Sequence, residues 1–259
     1  MAAEGYARVR EGMPGVVCVT TGPGGTNAVT GILGAWLDSI PLIVISGQVK
    51  RETMISRMPE LKLRQLGDQE ADIVSIVRSI TKYAAVVMEP ECIRHELEKA
   101  WHLAVSGRPG PVWLDIPLDV QAAEISENDL APWVGKLPSR LGNMVETRKV
   151  FEWLAHSERP VMVVGNGIRL AGAVGRFRKV VEKLKIPVLT ALSGIDLIES
   201  EAPYFFGRPG ILGERPANFI LQNADLILII GTRMNLRQIG FNYSSFGRAA
   251  RKVMVEIGR

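Results

Sequence analysis

The chain has 259 residues, of which 47% are apolar and 22% charged, with a net charge of +4. This balance fits a globular protein of one large or two ordinary domains, and no apolar run reaches the roughly 18 to 20 residues of a membrane span. The basic residues are scattered without interleaved aromatics, which argues against nucleic acid, while Cys18 and Cys92 form no CxxC pair and predict reduced thiols, a cytoplasmic setting and no metal centre.

The opening MAAEGYARVREG has a helical pattern and no basic start before an apolar core, so it does not read as a secretory signal. VVCVTT (16–21) and PLIVISG (41–47) are short apolar runs bounded by turn residues, with a helical stretch from about 26 to 37 between them. Their continuous apolar character predicts strands buried on both faces of a parallel sheet. Between them Gly22, Gly24 and Gly25 allow a tight strand-to-helix turn at backbone angles closed to other residues. A helix is predicted from about 91 to 106, with Ile93, Leu97, Ala100, Trp101 and Ala104 in one apolar stripe and His95 and His102 on the solvent side. PVWLDI (111–116) adds a strand, and QAAEISENDLAPWVGKLPSRLGNMVE then loses all period and reads as a linker. A second series follows: PVMVVGNG (160–167), a helix carrying Val174, Phe177, Val181 and Leu184, then IPVLTAL (186–192), DLILIIG (225–231) and KVMVEI (252–257). The predicted fold class is α/β, with two tandem Rossmann-like parallel-sheet units and helices on both faces, divided as 1–125, a linker at 126–147, and 148–259.

Four strings, AAEGYARV, TTGPGGTNAVTGI, DSIPLIVISGQV and SGRPGPVWLDIPLDV, resemble in order and spacing the pyrimidine-binding domain of thiamine diphosphate (ThDP) enzymes of the acetolactate synthase large-subunit type. IPVLTALSG, GRPGILGERPANFILQNADLILIIGTR and VMVEI are similar to that family's central domain. The resemblance implies that the loop with Gly22, Pro23 and Gly24 lies against the cofactor's aminopyrimidine, where glycine lets the main chain approach closely. Pro23 and Asn27 would touch the cofactor, Asn27 through an amide that donates and accepts hydrogen bonds. Gln69, in LGDQEADIV, matches a position bordering the active site.

The same resemblance places other parts elsewhere. The glutamate that tunes the aminopyrimidine belongs to a His-Glu-Gln stretch ahead of AAEGYAR, and Mg²⁺ is held by a Gly-Asp-Gly motif and a later Asn in a third domain. Neither motif occurs in these 259 residues. No catalytic residue is therefore assigned to this chain, which is expected to be a fragment, inactive alone, lacking the start of the pyrimidine domain. The parent would be a homodimer or homotetramer that decarboxylates a 2-oxo acid such as pyruvate and joins the product to an acceptor. Asp68 and Leu118 stand where acetolactate synthases carry phenylalanine and lysine; either they change the tolerated substrates or they lie too far away to matter. The central domain of acetolactate synthases binds FAD, and Arg108, Gly165, Gly167, Arg233 and Arg237 match positions there, arginine suiting a diphosphate. Relatives without flavin carry similar arginines, and Asn235 and Ala191 replace an aspartate and a threonine of the flavin binders, so FAD stays open. GNGIRLA is a weak dinucleotide fingerprint, because glycine turns after strands also serve close packing. The competing reading is a non-catalytic two-domain α/β nucleotide-binding module.

Overall fold

The apolar runs become parallel strands in a computed structural model that describes residues 1–10, 12–135 and 144–257. They belong to two units, Met1–Ser139 and Arg140–Arg259. The first contains α1 (Ala2–Val9), β1 (Gly15–Val19), α2 (Pro23–Asp38), β2 (Leu42–Gln48), α3 (Ile73–Val77), β3 (Tyr83–Val86), α4 (Ile93–Val105), β4 (Pro111–Pro117) and α5 (Leu118–Gln121). Its sheet is all parallel in the order β1-β2-β4-β3.

Side chains alternate across a strand, so a sheet covered on both sides uses every position for burial. Leu42, Val44 and Trp113 face Ile32 and Ala35 of α2 and Ile73 and Val77 of α3. Ile43, Val112 and Leu114 face the other way, onto Ala100 and Ala104 of α4. The predicted two-sided burial holds for β2 and β4 and fails for β1, where Val16 is 53% exposed and Cys18 is exposed. Being an edge strand, β1 has helix cover on one face only.

The predicted stripe of α4 is also corrected. Small Ala100 and Ala104 let the helix lie close on the sheet, whereas Leu97 and Trp101 flank the contact and stay 38% and 43% exposed. His102 is not simply solvated, since its ring packs against Trp133 at a 40° tilt with centroids 4.5 Å apart. Trp133 lies in the predicted linker and also donates its backbone N–H to Glu98 at 2.8 Å. The linker thus begins with a 3-10 turn at Glu127–Asp129 and docks on α4 through Trp133, and its part from 136 to 143 lies outside the described residues.

The second unit holds α6 (Met144–His156), β5 (Pro160–Val164), α7 (Gly167–Leu170), α8 (Val174–Leu184), β6 (Val188–Thr190), α9 (Arg215–Asn223), β7 (Leu226–Ile230), α10 (Leu236–Ile239) and β8 (Arg251–Val255). The sheet order is β6-β5-β7-β8, again all parallel. Val161, Val163, Ile227 and Ile229 pack on Ala217 and Leu221 of α9. Met162, Val164, Val188 and Leu228 pack on Phe177 and Val181 of α8. Two α/β units with helices on both faces are therefore what the strands build.

Candidate cofactor-binding site

Parallel strands open their ligand-binding loops at their carboxyl ends. In the first unit the ends of β1, β2 and β4 surround an open cleft of about 650 Å³, whose wall includes Thr20, Thr21, Ser46, Gln48, Val49 and Leu118. The turn after β1 forms one edge. Gly22 has φ 56° and ψ −117° at the N-cap of α2, a conformation that excludes side chains. A Cβ at Gly22 would also lie 2.1 Å from the carbonyl oxygen of Gln69. Pro23 occupies the start of the helix, where its missing N–H leaves no bond unmade. The helix accordingly begins earlier than the predicted 26, and Gly24, Gly25 and Asn27 lie within its first turns. Gly25 brings α2 close to Ile73 and Trp113, while Pro23 and Asn27 are exposed.

Gln69 is exposed and itself has φ 55°. The turn at Gly22 and the segment at Gln69, predicted from separate motifs, therefore meet backbone to backbone. Glu70 fixes that segment, its carboxylate accepting from the backbone N–H of Ile55 at 2.7 Å and from those of Leu66 and Gly67 at 3.1 Å. Asp68 is exposed beside Gln69, and Leu118 projects into the cleft wall, 53% exposed.

Beneath this contact lies a buried polar network that sequence reasoning missed. Asp115 of β4 is 1% exposed. Its Oδ1 accepts from Ser46 Oγ at 2.5 Å and its Oδ2 from Gln48 Nε2 at 2.8 Å. Trp113 Nε1 donates to Ser46 Oγ at 2.7 Å. Gln48 Nε2 also donates to the carbonyl of Ala71 at 2.9 Å, and Gln48 Oε1 accepts from Thr21 Oγ1 at 3.0 Å and from the N–H of Val49 at 2.9 Å. Burial pushes the Asp115 pKa up to about 6, against the opposing pull of the Ser46 and Gln48 donors. The signal available beforehand was a lone charge between Leu114 and Ile116 in an apolar strand, a residue type almost never buried unless partnered.

The remaining predicted residues are divided. Arg108 belongs to the first unit and reaches Ser39 Oγ at 3.4 Å, at the amino ends of β2 and β4, opposite the cleft. Gly165, Gly167, Arg233 and Arg237 belong to the second. There Gly167 N–H donates to Gly231 O at 2.9 Å. A Cβ at Gly165 or at Gly167 would lie 2.6 Å from the backbone of Gly231. Close packing of the turns after β5 and β7 thus requires both glycines. Arg233 and Arg237 are exposed just after β7. Asn235 caps α10, accepting from Gln238 N–H at 3.3 Å. Among the described residues, buried Thr190 Oγ1 and Gln238 Nε2 have no hydrogen-bond partner. Among the same residues no group of His, Cys, Asp and Glu is arranged to hold a metal ion, and no helix is long and apolar enough to cross a membrane.

Two family models match the chain: the thiamine pyrophosphate enzyme N-terminal TPP binding domain over residues 1–75 and the thiamine pyrophosphate enzyme central domain over residues 147–259. The chain belongs to the thiamine pyrophosphate enzyme family. Its relatives include the acetolactate synthase large subunit of Lactococcus lactis, 39% identical over 242 residues, covering 92% of this chain and 40% of the relative. The catalytic subunit of acetolactate synthase, mitochondrial, of Saccharomyces cerevisiae is 38% identical over 266 residues, covering 98% and 37%. The acetolactate synthase isozyme 2 large subunit of Escherichia coli is 35% identical over 241 residues, covering 93% and 42%. The chain spans about two fifths of the length of these relatives. As a thiamine pyrophosphate enzyme domain, the matched region at 1–75 contains both the Gly22 turn and Gln69.

Proposed function

We propose that the first unit supplies the wall facing the aminopyrimidine of ThDP. The complete protein is then an acetolactate synthase-like enzyme that decarboxylates a 2-oxo acid such as pyruvate and passes the product to an acceptor. The observation that carries this reading is the meeting of the Gly22 turn with Gln69 beside the cleft, both within the region matched to a TPP binding domain. The residues fit such a ligand: Gly24 is half-buried and adds no side chain, the exposed Asn27 amide both donates and accepts, and Leu118 offers an apolar surface, while buried Gly22 holds the turn against Gln69. ThDP supplies, when bound, the nucleophilic carbon and the electron sink of the reaction. The part of this chain is to bind and orient the pyrimidine ring and to close that side to water. General acid–base work and the Mg²⁺-bound diphosphate are placed outside these 259 residues, in a cytoplasmic homodimer or homotetramer.

In the second unit the same reading gives FAD a place at the carboxyl ends of β5 and β7, where the flanking strands β6 and β8 lie on opposite sides. Exposed Arg233 and Arg237 suit its diphosphate, and the unpartnered Thr190 Oγ1 and Gln238 Nε2 at the ends of β6 and beside Thr232 suit its polar groups. Gly165 and Gly167 act there through packing, and Arg108 enters only by resemblance.

Nuclear magnetic resonance of the labelled chain titrated with millimolar ThDP tests the first site. Amide shifts should concentrate at Gly22, Gly24, Asn27 and Gln69, with no release of CO₂ from pyruvate. Shifts confined to Gly165 and Gly231, or none at all, would overturn the assignment.

A further inference from the structure

The network under the cleft has a fixed direction. The N–H of Val49 can only donate, so the Gln48 atom facing it is the amide oxygen, and the Gln48 NH₂ must face Asp115 and the Ala71 carbonyl. The N–H of Trp113 likewise only donates, which turns the Ser46 proton toward Asp115. Both chains of donors therefore end on the two oxygens of one carboxylate. Thr21 precedes Gly22, and Ala71 follows Gln69 by two residues; Gln48 grips both, at 3.0 Å and 2.9 Å. Burying a carboxylate is costly, and an apolar residue would complete the core of β4 more favourably. Asp115 spends that cost on the orientation of Gln48.

We propose that Asp115 is a positioning residue that, through Gln48, locks the turn at 21–22 to the segment at 69–71 so that the two form one rigid wall. The lock follows from the hydrogen bonds alone; its use in orienting ThDP rests on the function proposed above. Without it no side-chain hydrogen bond among the described residues ties the two loops, and the packing of Gly22 on Gln69 is left to hold them.

Hydrogen exchange on the 259-residue chain, with no cofactor present, tests the lock. Asp115→Leu keeps about the same volume but removes both acceptors, leaving the Gln48 NH₂ and the Ser46 hydroxyl without their charged partner. Exchange at the amides of Thr26, Val49 and Glu70 should rise about tenfold, the scale of one lost hydrogen bond to a charged group, while Val163 of the second unit is unchanged. Asp115→Asn, whose amide oxygen can face the Gln48 NH₂ while its own NH₂ donates to Ser46 Oγ, keeps the grip and should leave these amides close to wild type. Thr21→Val should raise exchange at Thr26 but leave Glu70 alone. Unchanged exchange in Asp115→Leu, or a rise in Asp115→Leu spread evenly across the whole first unit, would overturn the proposal. Because no ThDP is present, a working lock in a chain whose Gly22 and Gln69 signals ignore ThDP sinks the proposed function and leaves the lock standing.

Discussion

Asp115 concentrates the chemistry of the first unit at one residue. Its carboxyl group moves from 3.8 in the open chain to about 6 in the fold, chiefly through burial. A raised folded-state pKa means that the fold binds the proton more tightly than the unfolded chain. The associated stability is fully present below about pH 4 and is lost as pH rises through about 6. The shift corresponds to roughly 3 kcal/mol. Urea unfolding of wild type and Asp115→Asn should therefore show a stability difference that moves against wild type by about that amount between pH 4 and 7. A difference independent of pH would contradict the buried, ionised carboxylate. This residue was hidden from sequence reasoning because its partners Ser46 and Gln48 stand 69 and 67 positions away. Gly22 was legible, since a glycine between a strand and a helix already asks for a conformation that side chains refuse, but its contact with Gln69 was not.

Among the elements, the end of α4 is held by a residue from outside the helix. Lys82 Nζ donates to the carbonyl of Leu103, one of the carbonyls that a helix terminus leaves unpaired, and, at 2.6 Å, to that of the C-cap residue Ser106. The cation also sits at the negative end of the helix dipole. Burial lowers the Lys82 pKa, which marks the ammonium as partly withdrawn from water. Lys82→Met should keep the stem packing and lose the cap, lowering stability by about 1.5 to 3 kcal/mol in urea unfolding, with loss of amide protection in the last turn of α4. An unchanged midpoint would show that water replaces the ammonium at no cost. The strands were legible where both faces are covered, as in Ile43, Val44, Val112 and Trp113, because continuous apolar character then has one explanation. In β1 and β8 the same composition meets solvent at Val16, Met254 and Val255, since cover at an edge depends on elements distant in sequence. β3, with two alanines and four half-buried residues, carried too little apolar signal to be noticed. On α4 the error at Leu97 and Trp101 arose because two alanines, not the largest side chains, set the line of closest approach.

At the scale of the whole molecule, each unit has its own core with helices packed on both faces of its central strands, and the carboxyl ends of each sheet form a rim. On the function proposed above, the first rim would offer amide groups to a flat polar ring, and the second arginines and unpaired polar atoms to a phosphate-bearing one. The family is fixed by the matches at 1–75 and 147–259, and the chemistry proposed for it depends on the first rim being a ThDP wall. The most direct measurement inserts these 259 residues in place of the matching region of the Lactococcus lactis acetolactate synthase large subunit and follows CO₂ release from pyruvate with and without ThDP. The account predicts ThDP-dependent release by the chimera and none by the 259-residue chain alone. A soluble chimera with intact secondary structure whose pyruvate consumption does not respond to ThDP would contradict it.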